Sequence, residues 1–150
     1  MAVGPFLSHD TNFATLLSTD NWATDDHYAV LATTTESPDR AAQVDLEDIL
    51  EECADADYAR IDLTGEAVAV NSTKIRFTCS KITFTAEGDI SARYLYILKG
   101  TVATAANSDI ILGHIDLDGA GNLSSVNAEF SFTPSATNGL FEISRTAAPA

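Results

Sequence analysis

Positive charge is what this chain lacks most: eight Lys and Arg stand against 22 Asp and Glu, for a formal net charge of −14. Phosphate binding needs clustered cations, so nucleic acid is not an expected partner. Cysteine is limited to Cys53 and Cys79, too few for a disulfide framework, and both are expected as buried or half-buried thiols. No window approaches 18 apolar residues, and the opening MAVGPFLSHD has neither the basic region nor the long apolar core of a signal peptide. No membrane span is expected, and the product is expected to be soluble in the cytoplasm before any assembly.

Catalytic signatures are equally scarce. The chain has no GxSxG elbow, no glycine-rich phosphate loop and no CxxC. Its three histidines, His9, His27 and His114, do not lie at metal-ligand spacing. His114 reads as a hydrogen-bonded strand residue that shares a face with Asp116. Asp116-Leu117-Asp118-Gly119 opens like a calcium loop but lacks the further oxygen ligands, so it reads as an Asp-Gly turn. Asp25-Asp26 and Glu51-Glu52 are adjacent, point apart in regular structure and make no glycosidase pair. No enzyme is expected here: no catalytic residue, no metal and no cofactor.

What is present is a pattern of short alternating apolar runs. With 150 residues and 45% hydrophobic content, a single β domain over residues 1–150 is expected, with residues 1–12 as an arm or edge-adding segment and 144–150 as a frayed tail. His27 to Thr33 reads as an interior strand with apolar residues on both faces. Ala67–Val70, Lys74–Thr78, Lys81–Ala86, Ala92–Leu98, Ile110–Leu117, Val126–Thr133 and Leu140–Ile143 read as further strands. Tyr94, Tyr96 and Leu98 share one face of their strand, and Leu95 and Ile97 the other, which marks a central strand. Glu87-Gly88-Asp89 and Asp118–Asn122 read as turns, Asn12–Leu17 as a short helical or extended stretch, and Gly100–Ser108 as either a flexible connection or an adaptable contact loop.

One helix is expected. Leu46, Ile49, Leu50 and Cys53 fall on one helical face, Asp45 stands as N-cap with Asp48 three positions on, and two turns result. Strands without long crossover helices give the fold class: mainly β, an antiparallel β-sandwich or jelly-roll-like arrangement with one short helix. The aromatic core is expected from Phe77, Phe84, Tyr94, Tyr96, Phe130 and Phe132.

Function is expected at the surface. Nine carboxylates between Glu36 and Asp57 face only Arg40; this block either meets a basic protein face or is a solvated helix with its flanks. Arg60 and Arg93 stand out because cations are scarce and each lies near a tyrosine; Arg93 is read as half of an ion pair, either within the sheet or across an interface. Candidate interface residues are Phe6 and Leu7 on the arm, Glu51 and Glu52 in the acidic block, and Arg60 and Arg93.

Four stretches carry a resemblance that spans roughly residues 14–143. These are Thr24–Leu31 with Ser37-Pro38-Asp39 and Leu46-Glu47-Asp48-Ile49; Phe84 to Lys99, in which Ala92-Arg93-Tyr94 is the most specific part; Ile110 to Asp118; and Asn127–Phe132 followed by Gly139-Leu140-Phe141. In order and outline they resemble a group of small tailed-bacteriophage virion proteins encoded among head genes. In the third stretch the pattern's proline and aromatic are replaced by Ile110 and His114. The resemblance implies a virion structural protein, most directly a head decoration or cement protein on the outer capsid surface, with the major capsid protein as partner. The symmetry habit of oligomers adds an expected homotrimer. The alternatives are a tail, neck or baseplate component and a carbohydrate-binding adsorption module.

Overall fold

The computed structural model describes residues 3–9, 20–70 and 74–144. Its strands are β1 (Phe6–Ser8), β2 (His27–Ala32), β3 (Ile61–Asp62), β4 (Ala67–Val70), β5 (Lys74–Thr78), β6 (Ile82–Ala92), β7 (Tyr94–Lys99), β8 (Ile111–Asp116), β9 (Leu123–Phe132) and β10 (Phe141–Ser144). Among the described residues they form three sheets, β1-β8-β7-β2-β3, β10-β5-β4 and β6-β9, and each pairing is antiparallel. The fold is mainly β, as the alternation predicts.

β7 is the central strand of the five-stranded sheet, and its two-faced pattern is realised on both sides. Leu95 and Ile97, with Ala29 and Leu31 of β2 and Leu112 and Ile115 of β8, pack against Ile82, Phe84, Ile90 and Phe130 of β6 and β9. The opposite face presents Tyr28, Val30, Tyr94, Tyr96 and Leu98. Among the described residues no sheet covers that face; Leu46 and Ile49 from the acidic block do, with Val102 and Ala105 against them. The expected aromatic core is therefore split between two layers. It also omits Trp22, which is fully buried and donates its indole N–H to the carbonyl of Thr78 at 2.8 Å.

Two sequence expectations need correction. The two-turn helix over Leu46–Cys53 is a single 3-10 turn at Leu46–Asp48, and a second such turn lies at Val102–Thr104 in the expected loop. Leu50 is 80% exposed, while Leu46, Ile49 and Cys53 are buried. The spacing of three and seven is satisfied by a chain that dips into the core at intervals, without a helix. Likewise Glu87-Gly88-Asp89 is no turn. β6 runs through it with register shifts against β9 on either side of Gly88. Asp57 packs against the irregularity: its carboxylate accepts from the Asp89 backbone N–H at 2.8 Å, and a Cβ on Gly88 would lie 2.8 Å from the Asp57 Cβ. Ser125 Oγ accepts from the Ile90 N–H and donates to the Gly88 carbonyl. The chain breaks instead at Arg93, between β6 and β7.

The described part of the expected arm adds β1 to the edge of the sheet beside β8, with Phe6 opposite Ile115 and Leu7 opposite His114. Gly113 permits the approach, since a Cβ there would overlap the Phe6 ring. The expected stretch Asn12–Leu17, residues 1–2 and 10–12 of the arm and residues 145–150 of the tail lie outside the described residues, and Ser144 closes β10.

Candidate interaction surfaces

A segment with few ladder partners must satisfy its backbone N–H groups some other way. In the acidic block the carboxylates do this. Glu36 is only 6% exposed and accepts from the backbone N–H of Ser37 at 3.2 Å, the side-chain amide of Gln43 at 2.8 Å and the backbone N–H of Glu51 at 2.7 Å. Asp48 accepts from the N–H groups of Val44 and Asp45, and Asp39 from those of Ala41 and Ala42. Gln43 is the hub: its amide also donates to the Asp48 carbonyl, and its oxygen accepts from Tyr96 Oη and the Asp39 N–H. The block is therefore an internally tied loop, not the solvated helix offered as one reading. Glu47, Leu50 and Glu51 stay exposed on its surface, beside a pocket of about 300 Å³ lined by Glu36, Gln43, Leu50 and Glu51.

The same block finishes the edge of β2. β3 pairs with β2 only at Tyr28 and Ala29. Further along, the Leu31 N–H donates to Tyr58 Oη at 3.1 Å and its carbonyl accepts from the Cys53 N–H at 2.8 Å. Tyr58 in turn donates to Glu52, which Arg60 grips through both carboxylate oxygens at 2.8 and 2.7 Å. Burial pushes the Cys53 and Cys79 thiols up, the latter to about 12, so both free cysteines are protonated at neutral pH.

The six candidate interface residues do not converge on one patch. Phe6 and Leu7 sit on the edge strand β1, where Phe6 stacks on Phe141 at 4.6 Å, whereas Arg60 immediately precedes β3 at the opposite edge. Arg60 and Glu52 are engaged with each other. Glu51 is exposed and accepts from the Thr35 hydroxyl at 3.1 Å. Arg93 binds Asp116 at 2.9 Å and lies 4.9 Å from the centre of the Tyr94 ring, so its ion pair is within the chain; that guanidinium holds the Asp116 carboxyl below the usual carboxylate range.

Asp116 thus serves Arg93 and not His114. Its Oδ1 also accepts from the N–H groups of Asp118 and Gly119, which is the geometry of an Asp-Gly turn. Among the described residues no three His, Cys, Asp or Glu side chains are grouped to hold a metal ion, and no helix is long and apolar enough to cross a membrane.

His114 has a different partner, one that sequence spacing hides. His9 Nε2 lies 3.0 Å from His114 Nδ1, across 105 positions, and His9 Nδ1 lies 2.8 Å from the Gln43 carbonyl. A carbonyl only accepts, so the His9 Nδ1 is the N–H that donates to it, and in the neutral ring the His9 Nε2 then accepts the His114 Nδ1–H. Burial, with His9 and Arg40 adding to it, pushes His114 down to about 4. With Arg40 donating to the Ser8 carbonyl at 2.6 Å, the pair fastens β1 to β8 and to the acidic block.

A second concavity, about 520 Å³, lies between β1 and the β9–β10 region and is lined by Phe6, Phe132 and Phe141 with Ser135, Asn138 and Glu142. It presents aromatic faces and short polar groups, with no paired acid and base. No family model matches the chain, nor does any curated protein or solved structure.

Proposed function

We propose that this protein is a non-enzymatic structural component of a tailed-bacteriophage virion, a head decoration or cement protein that binds the outside of the major capsid lattice. The observation that carries the reading is where the resembling stretches meet. Thr24–Leu31 contributes β2, Phe84–Lys99 contributes β6 and β7, and Ile110–Asp118 contributes β8; β2, β7 and β8 pair side by side. Arg93 of the Ala92-Arg93-Tyr94 signature binds Asp116 of the third stretch. Residues matched only as text are thus the ones that hold one another in space.

The surfaces fit the role. The exposed features are a tied acidic loop, open strand edges and a shallow groove, which suit docking onto another protein better than turnover of a small substrate. A cement protein acts by raising the cost of separating shell subunits, and a symmetric homo-oligomer repeats each modest contact so that avidity replaces a single deep anchor. In this reading the small sheets and the five-stranded sheet form the two layers of a β-sandwich.

The test is electron cryo-microscopy of the virion together with rebinding to capsids stripped of the protein. Density over capsomer junctions and saturable rebinding are expected. Density confined to the tail or neck, at a ring's worth of copies, would replace the head assignment by a connector role.

A further inference from the structure

Residues 67–86 contain no Asp or Glu, in a chain that has 22. This stretch supplies β4 and β5, and the tertiary structure leaves its flank close to neutral. Lys74 pairs with Glu142 at 2.6 Å, Lys81 pairs with Glu129, and Arg76 donates to the carbonyls of Ala136 and Thr137. Glu66, just before β4, is turned inward to within 3.6 Å of His27 Nδ1.

β4 is an edge strand whose ladder among the described residues is with β5 alone. Residues directly opposite in an antiparallel pair share a face. Val68 lies opposite Phe77 and Val70 opposite Ile75, so both valines point to the side on which Phe77 stacks against Phe141 at 4.4 Å. Yet Val68 is 41% and Val70 68% exposed. The core-facing side of the small sheet overhangs the core at β4. An open, uncharged, apolar strand edge is the arrangement that proteins avoiding association blunt with lysine, proline or a bulge, and Ala67–Val70 has none of these.

We propose that β4 is a self-association edge: two copies of this chain pair antiparallel through Ala67–Val70 about a two-fold axis and merge their three-stranded sheets into one of six strands. Charge selects both the flank and the occupant. Two chains of −14 that meet through the acidic block bring carboxylates together, whereas at β4 an uncharged segment meets its own copy. A two-fold contact also requires a surface complementary to itself, which an antiparallel strand edge provides. The inference stands apart from the head-decoration reading, and a two-fold pair competes with three-fold assembly.

Native mass spectrometry and light scattering across a concentration series test it, with wild type beside Val70→Lys and a control, Leu50→Lys, at a strongly exposed aliphatic site away from β4. Both positions are exposed, so unchanged circular dichroism, with melting temperatures compared at dilutions where every variant is monomeric, shows that the variants fold. Twice the monomer mass is expected for wild type and Leu50→Lys, with dimer dissociation at least tenfold easier for Val70→Lys. Hydrogen exchange in β4 should slow as concentration rises. A wild type monomeric to roughly 1 mM, a trimer, or a dimer indifferent to Val70→Lys would each overturn the proposal.

Discussion

Residues 36–57 and 67–86 are similar in length and opposite in charge, and they hold their backbones by opposite means. The first carries nine carboxylates and almost no regular structure; the second carries none and is a hairpin that leads into β6. In the hairpin the ladder takes up the N–H groups of β5 and the inward-pointing ones of β4, so the side chains are released for packing. In the acidic block the side chains take up the N–H groups, so Glu36, Asp39 and Asp48 do the work of missing secondary structure. The lesson is that an acid-rich segment can be a framework: a carboxylate presents two strong acceptors and can gather several donors at once.

The largest break in this comparison is Glu36→Ala. Three donors lose their acceptor in a buried site, and a loss of about 4 kcal/mol in urea unfolding is expected, with Glu36→Gln between the two. A loss below about 1 kcal/mol would mean that the loop is held by its apolar contacts alone. Acid should come next. The folded value of His114, about 4, lies below the ordinary 6.5, so its contribution is full above pH 6.5 and is lost as pH falls through 4. That shift corresponds to about 3 kcal/mol over the window. A His114→Gln variant should show a flatter stability profile there, and a parallel profile would remove the histidine pair from the account.

A smaller effect is expected at the joint between the acidic block and β2. Tyr58→Phe leaves the Leu31 N–H without its hydroxyl acceptor and should cost about 1.5 kcal/mol. Accelerated hydrogen exchange at Leu31 would locate that loss. The smallest belongs to the hairpin: Glu142→Gln removes the charge that Lys74, itself 39% exposed, pairs with and should cost about 0.5 kcal/mol or less. If it cost as much as Glu36→Ala, carboxylates would matter equally in both regions and the contrast would fail.

How far the sequence could be read follows the same division. Alternation marks β2, β5, β7 and β8, and the two-faced pattern of Tyr94–Lys99 identifies the central strand, because period-two burial is a local property of the chain. The helix expected at Leu46–Cys53 fails, because three buried side chains at helical spacing do not reveal that neighbouring N–H groups are taken by carboxylates. Trp22 was invisible as core because it is an isolated aromatic among mostly polar neighbours and, beyond His27 stacked on it at 4.4 Å, its slot is formed by Thr78, Phe77 and Phe141, far along the chain. Of the candidate interface residues, the scarcity of cations singles out Arg60 and Arg93. The ion pair expected of Arg93, either within the sheet or across an interface, is made within the chain to Asp116, and Arg60, of which no ion pair is expected, is held by Glu52.

The sequence by itself determined the β character, the central strand, the acidity and the place where acidity stops, since each depends on composition or on residues a few positions apart. Tertiary structure alone decided that Glu36 is a buried tie, that His9 meets His114, and that Val68 and Val70 overhang the core. These depend on which distant segments pack together, and the physical reason is burial: the same carboxylate or valine is ordinary in water and consequential only once its neighbours decide whether water reaches it.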